Sequence, residues 1–225
     1  MRKAYEIVTF DCYGTLVDWE GGISRAFIGA AAEDGLSLER EAVLRAHAEI
    51  EPVVQAEAYR SYRWVLTETA RRMAAGFHWQ ISEERASFLA ESLPTWAPFE
   101  DTNAALSRLA SAGMRLGILS NVDDDLLAGT IRHLAVPFDL LVTAEQVGTY
   151  KPNPRHFEEA RRRIEQRGGG DKGWLHAAQS LFHDVAPASS LGIPVAWINR
   201  KRESSFLGVP NEEFGSLYEL ADWLV

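Results

Sequence analysis

Short, continuously apolar runs recur through most of the chain and alternate with segments of helical spacing. Tyr5-Glu6-Ile7-Val8-Thr9-Phe10 opens the series, and residues 114–119, 138–142, Leu181-Phe182 and residues 194–198 repeat its character. Runs apolar at successive rather than alternate positions predict strands buried on both faces. Between them, residues 102–112, 124–134, 154–166 and 186–191 carry helical patterns, and Gly113, the Gly168-Gly169-Gly170 run and Gly192 stop three of these. Strands alternating with helices predict an α/β fold on a parallel sheet covered on both faces.

Residues 18–97 break the alternation. They are rich in Ala, Glu, Arg and Leu, with Gly35, Pro52 and Gly76 as the main turn signals, and read as three or four helices. Such a block is too long for a simple crossover. The expected division is a core of residues 1–17 and 98–225 with an inserted helical subdomain at 18–97. Trp19-Glu20-Gly21-Gly22 and Pro94-Thr95-Trp96-Ala97-Pro98 read either as hinges at its two ends or as ordinary interhelical turns.

At 225 residues and 46% hydrophobic content, the chain can bury one substantial core and a smaller second one. No apolar stretch reaches the roughly 18–20 residues that span a bilayer, and Met1-Arg2-Lys3 runs straight into a strand pattern, so a cytoplasmic protein is expected. A lone cysteine, Cys12, excludes an internal disulfide and a cysteine metal cluster. The net charge of −9 argues against nucleic acid and anionic membranes as partners. An anionic substrate must therefore meet locally placed cations. Arg60, Arg63, Arg71 and Arg72 supply some and Lys151 another, although most helix arginines are simply solvated.

In an open parallel sheet, ligands bind beyond the carboxyl ends of the strands. Polar groups fall at such ends four times: Asp11 with Thr15, Ser120-Asn121 after Leu119, Lys151 in Tyr150-Lys151-Pro152, and His183-Asp184 after Ser180-Leu181-Phe182. Each alone has a bland reading as a turn or cap residue. One per strand–helix unit, in register, is hard to explain by packing.

Asp-x-Tyr-Gly-Thr-Leu at 11–16, Ile-Leu-Ser-Asn at 118–121, Tyr-Lys-Pro at 150–152 and the downstream Asp184 resemble the four motifs of the haloacid dehalogenase superfamily. The resemblance implies a Rossmann-like core with an inserted helical cap. Residues 192–200 also look like the strand that follows the fourth motif in the L-2-haloacid dehalogenases. Phosphatases of the superfamily carry a second aspartate two residues after the nucleophile, which protonates the departing alkoxide. Tyr13 stands there instead, and a departing halide needs no proton.

By resemblance, Asp11 attacks the halogen-bearing carbon of a small 2-haloacid, forming an ester that water hydrolyses to a 2-hydroxy acid, with no cofactor required. Lys151 would keep Asp11 ionised, Thr15 and Ser120 would orient the carboxylates, Asn121 would meet the halide, and Asp184 would support Lys151 or position water. Arg45, then Arg60 or Arg63, is the candidate cap arginine, and a homodimer is the family-level expectation. Some positions depart from the dehalogenase pattern. Leu181 replaces an asparagine beside the water site, Gln179 and Ser180 replace two serines, and Phe157 replaces a tyrosine near the substrate carboxylate, while His183 is either a substitute donor or base, or a partly buried loop residue. Two other readings stay open. One is a phosphatase holding Mg through Asp11, the Tyr13 carbonyl and Asp184; the other is a catalytically weak protein that binds a metabolite.

Overall fold

The computed structural model describes residues 5–170, 173–204, 210 and 212–225, which divide between two compact units. The first unit comprises the chain up to Val17, Pro98–Asn121 and Arg132–Val225. Its sheet has six parallel strands, β1 (Ile7–Phe10), β2 (Arg115–Ser120), β3 (Leu140–Thr143), β4 (Trp174–Ala178), β5 (Val195–Ile198) and β6 (Glu212–Phe214), in the order β3-β2-β1-β4-β5-β6. Chain direction across the sheet reverses between β1 and β4, the switch point where α/β folds place ligands.

The apolar runs are strands because burial on both faces requires it. All four residues of β1 and all five of β4 are buried. Against one face pack Phe157, Ala160 and Ile164 of the helix Arg155–Gln166 and Ala188 of the helix Ala186–Ser190, meeting Ile7, Trp174, Val195 and Trp197. The helices Thr102–Ser111 and Leu217–Leu224 pack on one another and bury Leu106, Leu109, Leu217 and Leu220.

One predicted strand is in the wrong place. Leu181–Val185 is a single π-helical turn, with Phe182 56% exposed, and the strand is Trp174–Ala178. Two alanines and a central histidine disguise it, because none of them carries the β-branched signal of a buried strand.

The second unit is Asp18–Ala97 together with Val122–Ile131. Its helices are Trp19–Glu33, Arg40–Glu57, Tyr62–Gly76, Glu83–Ala86, Phe88–Ser92 and Asp124–Thr130. Phe27 sits at its centre with Phe77, Trp79 and Phe88 around it at ring-centroid distances of 5.5–6.0 Å. The sequence reading assigned residues 122–131 to the core. The reason they belong here is a cap: both Asp123 carboxylate oxygens accept backbone N–H groups at the start of Tyr62–Gly76, from Tyr62 and Arg63, each at 2.8 Å.

Trp19–Gly22 is the first turn of a helix capped by Asp18, whose Oδ1 accepts the Gly21 N–H at 3.0 Å. Gly22 is needed for contact: a Cβ there would lie 2.3 Å from ring carbons of Trp96. Gly29, on the same helix, has nothing within 4 Å of the equivalent position. Gly22→Ala is therefore expected to lower stability by about 1–3 kcal/mol and Gly29→Ala to raise it by about 0.5–1 kcal/mol, both measured by denaturant unfolding.

Candidate active site

Asp11 leaves the end of β1 from a fixed backbone, since its N–H still donates to Ala177 O of β4 at 3.1 Å. The chain then turns tightly, with the N–H groups of Leu16 and Val17 both donating to Cys12 O and Gly14 at φ +98°, where a side chain would be strained. This turn brings Thr15 back over Asp11. Its hydroxyl donates to Asp11 Oδ2 at 2.9 Å and accepts the Gln179 N–H at 3.0 Å.

Lys151 follows β3 and is held by its main chain. Its N–H donates to Asn121 Oδ1 at 2.6 Å, and Asn121 Nδ2 donates to its carbonyl at 3.1 Å. The ammonium has three protons and meets three acceptors: Asp11 Oδ1 at 2.9 Å, Leu119 O at 2.9 Å and Asp184 Oδ1 at 2.6 Å. Asp184 arrives from the turn after β4, where His176 Nε2 lies 3.0 Å from the same Oδ1. The side chains of Lys151 and Asp184 are each 1% exposed while that of Asp11 retains 11%, so Asp11 is the accessible member.

Burial would raise both carboxylates, and the two respond differently. Asp184 is carried down to about 2 by the charge of Lys151 and the hydrogen bond from His176. Asp11 stays raised: burial dominates and the Asp184 charge adds to it, against Lys151 and Thr15. Lys151 is raised as the charges of both carboxylates overcome burial, which keeps it an ammonium.

The remaining sequence candidates scatter. Ser120 ends β2 with its carbonyl 3.2 Å from His156 Nε2 and its hydroxyl buried without a hydrogen-bond partner. Tyr13 is half-buried and bridges to Val17. Ser180 Oγ accepts the His183 N–H at 3.0 Å and lies 3.1 Å from its Nδ1, and burial lowers that imidazole so that it is neutral at pH 7. Phe157 belongs to the apolar core, fully buried and edge-on to His176, because its position on Arg155–Gln166 points it at the sheet. Leu181 packs on the same cluster. Arg45 is exposed on Arg40–Glu57 in the helical unit, where Arg63 pairs with Asp125 and Arg72 with Glu57 and Glu68. The fully buried Cys12 has its thiol pushed well up by burial and is inert.

His176, Thr9 and Trp174 adjoin the cluster and were absent from the sequence candidates. A histidine inside an otherwise apolar run was the available signal. Among the described residues no group of three His, Cys, Asp or Glu side chains is placed to hold an ion; a divalent cation here would rest on Asp11, Asp184 and the Tyr13 carbonyl, and both carboxylates already share the Lys151 ammonium.

The two carboxylates carry opposite signs for stability. Asp184 is depressed from 3.8 to about 2, so its contribution is complete above about pH 4, is lost as pH falls toward 2, and amounts to about 2 kcal/mol. Asp11 is raised, so what it contributes is present when protonated and is lost as pH rises. At neutral pH, Asp184→Asn is expected to lower Tm by several degrees and Asp11→Asn to leave it unchanged or raise it, as calorimetry would measure.

The family model for haloacid dehalogenase-like hydrolases matches residues 5–172. A (S)-2-haloacid dehalogenase of Pseudomonas putida is 29% identical, covering 99% of this chain and 98% of its own. The glyceraldehyde 3-phosphate phosphatase of Methanothermobacter thermautotrophicus is also 29% identical, over 85% of this chain and 84% of its own. Among solved structures, the L-2-haloacid dehalogenase of Xanthobacter autotrophicus with chloropropionic acid covalently bound superimposes with a TM-score of 0.81 at 20% identity, covering 99% of this chain and 98% of that one, a likeness of fold. With the family matched across most of its length, the chain belongs to the haloacid dehalogenase-like hydrolases and is an enzyme.

Proposed function

We propose that this hydrolase dehalogenates small 2-haloacids, with Asp11 as nucleophile. The observation that carries the reading is an accessible carboxylate with both oxygens oriented by donors, Lys151 on one and Thr15 on the other, and an aromatic residue at position 13 where a phosphatase needs an acid. In the first step an Asp11 oxygen attacks C2, the carbon–halogen bond breaks, and the pair leaves on the halide. In the second, water adds to the Asp11 ester carbonyl and the acyl–oxygen bond breaks, releasing a 2-hydroxy acid and one proton and restoring the carboxylate. Lys151 offsets charge at the nucleophile in both steps.

Asn121 is engaged with the Lys151 main chain, so its role in this reading is to position Lys151, with one amide proton left for halide. Asp184 holds the far side of the ammonium. The Ser120 hydroxyl is proposed to help orient the carboxylates, and the neutral His183 to replace one of the donors lost at Leu181 and Phe157 or to act as base. Arg45 is kept as the candidate cap arginine, to meet the halide or close the site, and no cofactor is invoked. A cytoplasmic homodimer is part of the same proposal.

The phosphatase reading has the 29%-identical archaeal phosphatase in its favour. Chloroacetate, fluoroacetate, 2-chloropropionate and a panel of phosphomonoesters, assayed with Mg and with EDTA, separate the two. Haloacid turnover is expected to survive EDTA, and Asp11→Asn to abolish it by at least about a thousandfold. Single turnover in H₂¹⁸O should place the label in the Asp11 peptide; label in another peptide, or Mg-dependent phosphate release alone, would overturn the proposal. Tyr13→Asp is expected to lower dehalogenation and raise phosphomonoester cleavage, because it repels an anionic substrate while supplying an acid.

A further inference from the structure

The imidazole of His176 lies inside the sheet rather than in the loops that carry the motifs. It is fully buried in the middle of β4, in register with Thr9 of β1 and Val195 of β5. Its Nε2 is 3.0 Å from Asp184 Oδ1, and an ionised carboxylate only accepts, so Nε2 bears a proton. Its Nδ1 is 2.9 Å from Thr9 Oγ1, which itself accepts the Trp174 indole N–H at 2.8 Å. An indole only donates. With the ring neutral, the Thr9 proton goes to Nδ1 and every proton along Trp174, Thr9, His176 and Asp184 has its own acceptor. A proton on Nδ1 would instead occupy the second lone pair of the Thr9 oxygen and take from the Thr9 proton its acceptor on the ring.

The ring is packed wholly within the core. Phe157 meets it edge-on at 5.2 Å and 88°. The titratable groups around it are Asp184 in front, Lys151 and Asp11 beyond, and His156 from the helix Arg155–Gln166, which burial and then the charge of Lys151 lower to about 3. A charged His176 would compete with Lys151 for Asp184. A neutral donor fixes the carboxylate without displacing the ammonium.

We propose that His176 is a positioning residue: with its proton fixed on Nε2 by Thr9 and Trp174, it holds the Asp184 carboxylate so that Lys151 stays bridged to Asp11. The inference rests on the reading of Asp11 as nucleophile. Its test combines kinetics with a readout independent of turnover. His176→Leu is expected to reduce kcat by about 10–100-fold with KM little changed. His176→Gln, which keeps an N–H near Nε2, should recover most of the loss, and Thr9→Val should reproduce part of it. If His176→Leu folds and keeps the wild-type kcat, or His176→Gln recovers none of the loss, the proposal is wrong.

Nitrogen-15 spectra of histidine-labelled enzyme supply the second arm. His176 should show a proton on Nε2 in the wild type and a mixed tautomer in Thr9→Val. Asp184→Asn should displace its Nε2 signal. A His176 that bears its proton on Nδ1, or that ignores Asp184→Asn, overturns the proposal. This arm holds even if the wild type turns over no haloacid, an outcome that would count against the dehalogenase reading alone.

Discussion

A buried ammonium bridging two carboxylates organises this protein. Lys151 donates to Asp11, Asp184 and the Leu119 carbonyl, and those acceptors come from the end of β1, the turn after β4 and the end of β2. Burying charge is unfavourable unless each group finds partners, and three protons facing three acceptors meet that condition. The cluster carries two negative charges and one positive. The surplus rests on Asp11, the member with solvent access, so the strain of an undercompensated anion is concentrated on the atom best placed to react.

Much of this was legible in the sequence because chemistry of this kind is local. Asp11, Thr15, Ser120, Asn121, Lys151 and Asp184 sit at strand ends or in tight turns, where an apolar run stops and a polar residue has no packing reason to be there. What failed to show depended on tertiary partners. Trp174–Ala178 is a strand because β1 and β5 flank it, and its own residues hardly say so. Asp123 looks like an ordinary cap for the helix that follows it, yet its oxygens cap a helix some sixty residues earlier in the chain. Phe157 matched a substrate position by spacing, while the orientation of its helix commits the ring to the core.

The glycines illustrate the same limit. Gly21-Gly22 suggests mobility in one dimension, and in three Gly22 is the clearance that Trp96 needs. Arginines followed suit: several that looked available for an anion are paired with glutamates, and Glu68 alone takes both Arg71 and Arg72. Residue type and spacing find reactive groups more readily than they find which charges are already spoken for.

The Asp123 cap also bears on how the helical unit could be exchanged between relatives. Excising residues 18–97 as a single cassette would leave Asp123 without the amides it caps and strip the cover from Val122, Leu126 and Leu127, all buried in the intact protein. A chimera that respects the packing must transplant two segments, and the second begins at the residue after Asn121. The graft junction therefore abuts the side chain that clamps Lys151, so exchanging the helical unit would perturb the ammonium that pairs with Asp11 unless Asn121 and its backbone were kept from the parent core.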